Sequence, residues 1–188
     1  PCNLHRVTYG TLQKVKKVKS LLVNHIQEDT RSLFYRLKCK LLITTLKIFY
    51  DCSDLASVNI PDGVTTIGGG TFEGCSSLVS MNIPDGVTTI GDSSFGGCSD
   101  LTSLTIPNSV TSIGNNAFAN CSSLENVAIP EGVSSINNYT FYNCKSLVSV
   151  SIPSSVSYIG EYAFNGCSSL KSVIIPAGVT SIAENTYS

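Results

Sequence analysis

Cys52, Cys75, Cys98, Cys121, Cys144 and Cys167 stand 23 residues apart and present the first chemistry to consider. A thiol can hold zinc, attack a carbonyl or close a disulfide, and each use needs a suitably placed partner. Zinc sites want paired ligands such as C-x-x-C or nearby histidines. The only histidines, His5 and His25, precede the first of these cysteines. A Ser-His-Asp or Cys-His arrangement would have to bridge two unlike segments, so a hydrolase using His25 is a remote reading. Asp62, Asp85 and Glu131 share one register, where stacked carboxylates could attract calcium, but a solvated turn edge is the simpler account. Gly68-Gly69-Gly70 has no Lys-Ser/Thr after it and does not begin a phosphate loop. No catalytic residue, metal ligand or cofactor is therefore expected. The six cysteines read instead as a column of small buried hydrophobes with free thiols.

What must position such a column is a repeat. Phe49, Phe72, Phe95, Phe118, Phe141 and Phe164 keep the same step, with Tyr187 next in register. So do the prolines from Pro61 to Pro176, the leucines from Leu55 to Leu170, and the isoleucines that follow Ile60 and Ile67. The unit reads F-x-x-C-S-x-L-x-x-V-x-I-P-x-G-V-x-x-I-G. Leu101, Leu104 and Ile106 end in the alternation of a short strand. Pro107 then stops it. Ile60-Pro61-Asp62-Gly63 suits a type I turn with Pro at the second position, Val64 to Ile67 is a second extended piece, and the stretch to Phe72 and Cys75 is expected to be one helical or irregular turn. One such unit cannot bury its apolar face alone, so the units must stack.

Segments such as Ile106-Pro107-Asn108-Ser109-Val110-Thr111-Ser112-Ile113-Gly114, followed by Ala117-Phe118-Ala119-Asn120-Cys121-Ser122-Ser123-Leu124, resemble the BspA-type leucine-rich repeats of bacterial and protist surface proteins. The resemblance covers residues 48 to 188, as six repeats plus a partial seventh. It implies a leucine-rich-repeat solenoid, a right-handed parallel β superhelix of short strands with turns and short helical segments. It also implies a cell-surface or secreted setting, with a protein or glycan of a cell surface or extracellular matrix as partner.

Two surfaces are candidates for that partner. The strand positions expected to face solvent are Ser57 and Asn59, Ser80 and Asn82, Ser103 and Thr105, Asn126 and Ala128, Ser149 and Ser151, then Ser172 and Ile174. Asn59, Asn82, Thr105 and Asn126 are its partner-binding candidates, on a small, polar face that suits weak multivalent contacts or serves solubility alone. The second surface holds Tyr139, Tyr142, Tyr158 and Tyr162, either as outward anchors or as partly buried fillers of an edge. Asn120-Cys121-Ser122 and Asn138-Tyr139-Thr140 match the N-glycosylation pattern.

The net charge of -1 is a cancellation. Residues 1–50 hold ten Lys and Arg against Glu28 and Asp29, or +8, while the remainder holds Lys145, Lys171 and eleven acids, or -9. A near-neutral total argues against a nucleic-acid binder, which would show a large basic excess, and no apolar run approaches the ~20 residues of a transmembrane helix. Residues 1–47 form a separate basic segment, expected to be helical from Leu12, Val15, Val18, Leu22 and Ile26. Three readings of it stand: a cap on the first coil, an element for an anionic surface, or a stretch foreign to the fold. It lacks a signal peptide's layout. The carboxyl end, stopping inside a seventh unit, reads as that of a fragment. Two function classes follow, a non-enzymatic protein-binding or cell-surface adhesion module and a purely structural spacer.

Overall fold

The computed structural model describes residues 47–187; the basic segment and its expected helices lie outside them. Four of the coils contribute two short strands each, and the first and last contribute only the second. The longer ones are β2 (Ser80–Asn82), β4 (Ser103–Thr105), β6 (Asn126–Ala128) and β8 (Ser149–Ser151), which pair in parallel in that order as a four-stranded sheet. Their middle residues point inward and their flanking residues outward, as the period of two requires.

The second strands are β1 (Thr66–Ile67), β3 (Thr89–Ile90) and β5 (Ser112–Ile113) in one sheet, and β7 (Ser135–Ile136), β9 (Tyr158–Ile159) and β10 (Ser181–Ile182) in another. Every strand pairing joins residues 23 apart, such as Ile67 with Ile90 and Val127 with Val150. The break between β5 and β7 has a residue-level cause. Gly91 and Gly114 donate their backbone N–H to Ile67 and Ile90 of the preceding coil. At the equivalent position Asn137 donates its side-chain Nδ2 to Ile113 instead, at 2.6 Å.

The stretch from each second strand to the cysteine is a run of turns, and no residue from 47 to 187 is helical. The expected short helical segments are thus corrected. Backbone hydrogen bonding explains why. Thr71, Glu73 and Cys75 donate to the carbonyl three residues earlier, while the alternate amides of Gly70, Phe72 and Gly74 donate forward to Asp92, Ser94 and Gly96 in the next coil. A helix would take all of these amides internally. Here half of them join the coils, and the later repeats do the same.

The chain achieves this with two left-handed residues per coil. One column is Gly70, Ser93, Asn116, Tyr139, Tyr162 and Asn185, and the other is Asp51, Gly74, Gly97, Asn120, Asn143 and Gly166, all with φ between 51° and 78°. Gly and Asn enter that region at low cost. The proline turn is also displaced by one residue from the expected frame. Val64, Val87, Val110, Val133, Val156 and Val179 each donate to the proline three residues before, so proline occupies the first turn position, where only its carbonyl is used.

Between these ladders runs a continuous apolar core. The phenylalanine rings stack from Phe49 to Phe164 at 5.1–5.6 Å, and Tyr187 continues the stack at 5.4 Å. Beside the rings, the small buried position of each unit holds Thr71, Ser94, Ala117, Thr140, Ala163 and Thr186. Thr71 and Thr140 donate their hydroxyls to the carbonyl three residues earlier. Ser94 Oγ is buried with no partner. The last coil leaves its core positions open: Ile182 is 47% exposed where Ile136 is 2%.

Phe118→Ala should remove a fully enclosed ring with neighbours on both faces and cost about 3–5 kcal/mol. Ser94→Ala should be neutral or stabilise by about 1 kcal/mol, because it deletes an unpaired buried hydroxyl. Urea unfolding midpoints check both, and a clearly destabilised Ser94→Ala would contradict the unpaired state of that hydroxyl.

Candidate functional site

The cysteine column is structural in its chemistry. Cys75, Cys98, Cys121, Cys144 and Cys167 are buried, and these five and Cys52 carry free thiols. Each of the five donates its Sγ–H to the carbonyl of the phenylalanine 26 residues earlier, at 3.1–3.2 Å. That carbonyl already accepts the backbone N–H of the cysteine in its own coil, as Phe49 does from Cys52 at 3.0 Å. The thiol therefore fills the second lone pair of a buried acceptor. Burial pushes the Cys98 thiol up to about 12 and raises Cys121 well above its ordinary value. The neighbouring Cys167 thiol, together with burial, also holds Cys144 well above its ordinary value. These thiols lack the exposure and positive surroundings of a nucleophile.

Asp62, Asp85 and Glu131 lie exposed on the proline turns. Among the described residues, no three His, Cys, Asp or Glu side chains are grouped to hold a metal ion. His5 and His25 fall outside those residues.

The strand face is where the sequence places it. Ser57, Asn59, Ser80, Asn82, Ser103, Thr105, Asn126, Ala128, Ser149, Ser151, Ser172 and Ile174 are all exposed. Asn59 bridges to Asn82 through the backbone, and Asn126 accepts the Ser149 hydroxyl at 2.6 Å. The result is a row of short, uncharged groups repeated at the strand spacing.

Tyr139, Tyr142 and Tyr162 come together on a different edge. Tyr139 and Tyr162 stack at 4.9 Å with 8° between their planes, and Tyr142 meets Tyr139 at 5.6 Å in an edge-on contact. Tyr158 projects from β9, and its hydroxyl lies 3.5 Å from Asn138 Oδ1. All four rings are half-buried, so they both fill the edge and present surface. Tyr139 and Tyr162 occupy the left-handed column, at φ 58° and 56°. A bulky residue there is a backbone outlier costing on the order of 1–3 kcal/mol. Sequence reasoning missed this strain, although Gly70, Asn116 and Asn185 in the same register signal it.

A polar ladder supports the edge. Asp92 Oδ1 accepts the backbone N–H of Asn115, Asn115 Oδ1 that of Asn138, and Asn138 Oδ1 that of Glu161. The amide of Asn138, at one glycosylation pattern, is thereby engaged in the fold, and Cys121 at the other is buried.

Parallel coils of 23 residues around leucine, isoleucine and phenylalanine columns define a leucine-rich-repeat solenoid. The BspA type Leucine rich repeat region matches residues 43–146 and 88–188 in six copies, and the chain belongs to that family. Solved structures of bacterial proteins are similar to it. A Leucine Rich Repeat protein of T. pallidum is similar at 30% identity, with a TM-score of 0.52 over 66% of this chain and 69% of that one. A leucine-rich repeat protein from Eubacterium ventriosum is similar at 27% identity and a TM-score of 0.54, covering 70% of this chain and 42% of that one. Comparison with curated proteins gives no match. Among the described residues, no helix is long and apolar enough to cross a membrane.

The folded protein holds the Cys98 proton more tightly than the unfolded chain does. Stability from this group is complete below about pH 9 and is lost as the pH rises toward 12. Urea midpoints should therefore fall above pH 9, and Cys98→Ala should flatten that slope. An unchanged slope in the variant would remove Cys98 as a cause.

Proposed function

We propose that this solenoid is a non-enzymatic protein-binding module that serves cell-surface adhesion, working at a cell surface or after secretion. The observation that carries the reading is the tyrosine edge. Two large aromatic side chains are kept in a backbone column that favours Gly or Asn, and strain of this kind persists where the surrounding structure holds it for a purpose. Tyrosines that are half covered and half presented combine a rigid apolar face with a hydroxyl, the chemistry enriched at protein interfaces.

The strand face, with Asn59, Asn82, Thr105 and Asn126, contributes weaker contacts repeated along the axis, where gain comes from number. Membership of the BspA-type family supports the surface setting, and the acidic solenoid argues for a protein partner over nucleic acid. The spacer reading draws on the same strand face, since short uncharged groups also serve a surface that binds nothing.

The test uses the full chain on purified extracellular-matrix proteins and on intact host cells. Saturable binding is expected, and replacing Tyr139, Tyr142, Tyr158 and Tyr162 with Ser should weaken it about tenfold or more. No binding above background would favour the spacer, and equal binding by both proteins would take the tyrosines out of the site.

A further inference from the structure

The left-handed edge carries a second feature, toward the opposite end of the solenoid from the stacked tyrosines. An open trough of 320 Å³ runs across the coils, lined by Tyr50, Glu73, Ser93, Asn116 and Asn120 over a floor that includes Gly96 and Gly97. Its origin is a change of side-chain size along two columns. In the column of Tyr50 the following residues are Glu73, Gly96 and Ala119 before Tyr142 restores a ring. In the neighbouring left-handed column, Gly70, Ser93 and Asn116 precede Tyr139. Residues smaller than tyrosine thus separate the rings of Tyr50 and Tyr142, four coils and about 19 Å apart at one strand spacing per coil.

The chemistry of the lining selects among ligands. Among the described residues, Glu73 is the one charged side chain lining it, and Lys47 pairs with that carboxylate at 3.1 Å while lying 5.1 Å over the Tyr50 ring. The charges cancel locally, so neither an anion nor a cation finds an uncompensated partner. Asn116 and Asn120 bring amides that both donate and accept, and Tyr50 is 42% exposed. The floor has no deep apolar pocket of the kind a peptide anchor fills. What fits is an elongated, uncharged molecule with hydroxyls for the amides and a flat C–H face for the ring.

We propose that this trough binds a neutral oligosaccharide, laid along the solenoid axis from Tyr50 to Asn116 and Asn120. The proposal rests on the reading of the chain as a binding module and adds a ligand class at a separate place on it. The site is held by the fold: the left-handed conformations of Ser93, Asn116 and Asn120 aim their side chains from fixed backbone, so little ordering cost is incurred on binding.

The sequence has no Trp, so tyrosine fluorescence reports on the rings without interference, and calorimetry gives the affinity. The full chain is titrated with cellohexaose, mannohexaose and, as charged comparator, a heparin hexasaccharide. Saturable binding of at least one neutral hexasaccharide is expected. Asn116→Gly with Asn120→Gly removes both amides while keeping a residue suited to positive φ, and should weaken binding about tenfold or more, as should Tyr50→Ala. Asn108→Ala, on an exposed proline turn, should leave it unchanged. Thermal midpoints verify that each variant is folded. Absence of binding to every neutral hexasaccharide, undiminished binding in both trough variants, or preference for the heparin fragment would overturn the proposal. Matrix-protein binding measured on the same variants separates the two claims, because the trough substitutions should leave it intact.

Discussion

The structure depends on the interlock of the phenylalanine and cysteine columns. The phenylalanine carbonyls from Phe49 to Phe141 each accept two donors, the cysteine N–H of their own coil and the cysteine thiol of the next. The ring attached to that same residue stacks on its equivalent one coil away. The two contacts are compatible only when the repeat is 23 residues long at every step. An insertion between ring and thiol would leave a buried carbonyl short of a donor and a ring without a partner. Neighbouring coils are therefore tied to a common register, and stability accumulates as a nearest-neighbour sum.

Much of this was legible in the sequence because side chains with one role recur at one spacing. The phenylalanine, cysteine, leucine and isoleucine columns announce the core, and the alternation around Leu104 and Val127 correctly turns Ser103, Thr105, Asn126 and Ala128 outward. The turn strip was not legible in the same way. Its amides alternate between local carbonyls and the next coil, a pattern that no hydrophobic period encodes. Of the helical or irregular turn expected over that stretch, only the irregular alternative is present. The clue lay in the left-handed columns, where glycine and asparagine alternate with tyrosine, serine and aspartate, and the less permissive residues hide the signal. Proline misled by one position for a similar reason. Its fixed φ suits the second turn residue, but its carbonyl is what this fold uses.

The same economy shapes the surfaces. Strand positions repeat at the spacing of the backbone, and their side chains are too short to vary its contour. The edge made by the left-handed residues is where side-chain size changes from coil to coil, from glycine to tyrosine within one column. Recognition on a solenoid with a uniform core must come from such departures. Here the departures are aromatic, and two of them are kept against backbone preference, with the ring stack between Tyr139 and Tyr162 offsetting part of that strain.

The thiol–carbonyl bond is the least ordinary part of this account and the one most open to direct measurement. Infrared spectra of the S–H stretch, recorded on the native protein and on the chain unfolded in urea, read the hydrogen-bonded state of the thiols. The native band should lie at lower frequency than the unfolded one, and Cys98→Ala with Cys121→Ala should remove intensity from that shifted band. A native band at the frequency of the unfolded chain would contradict the interlock.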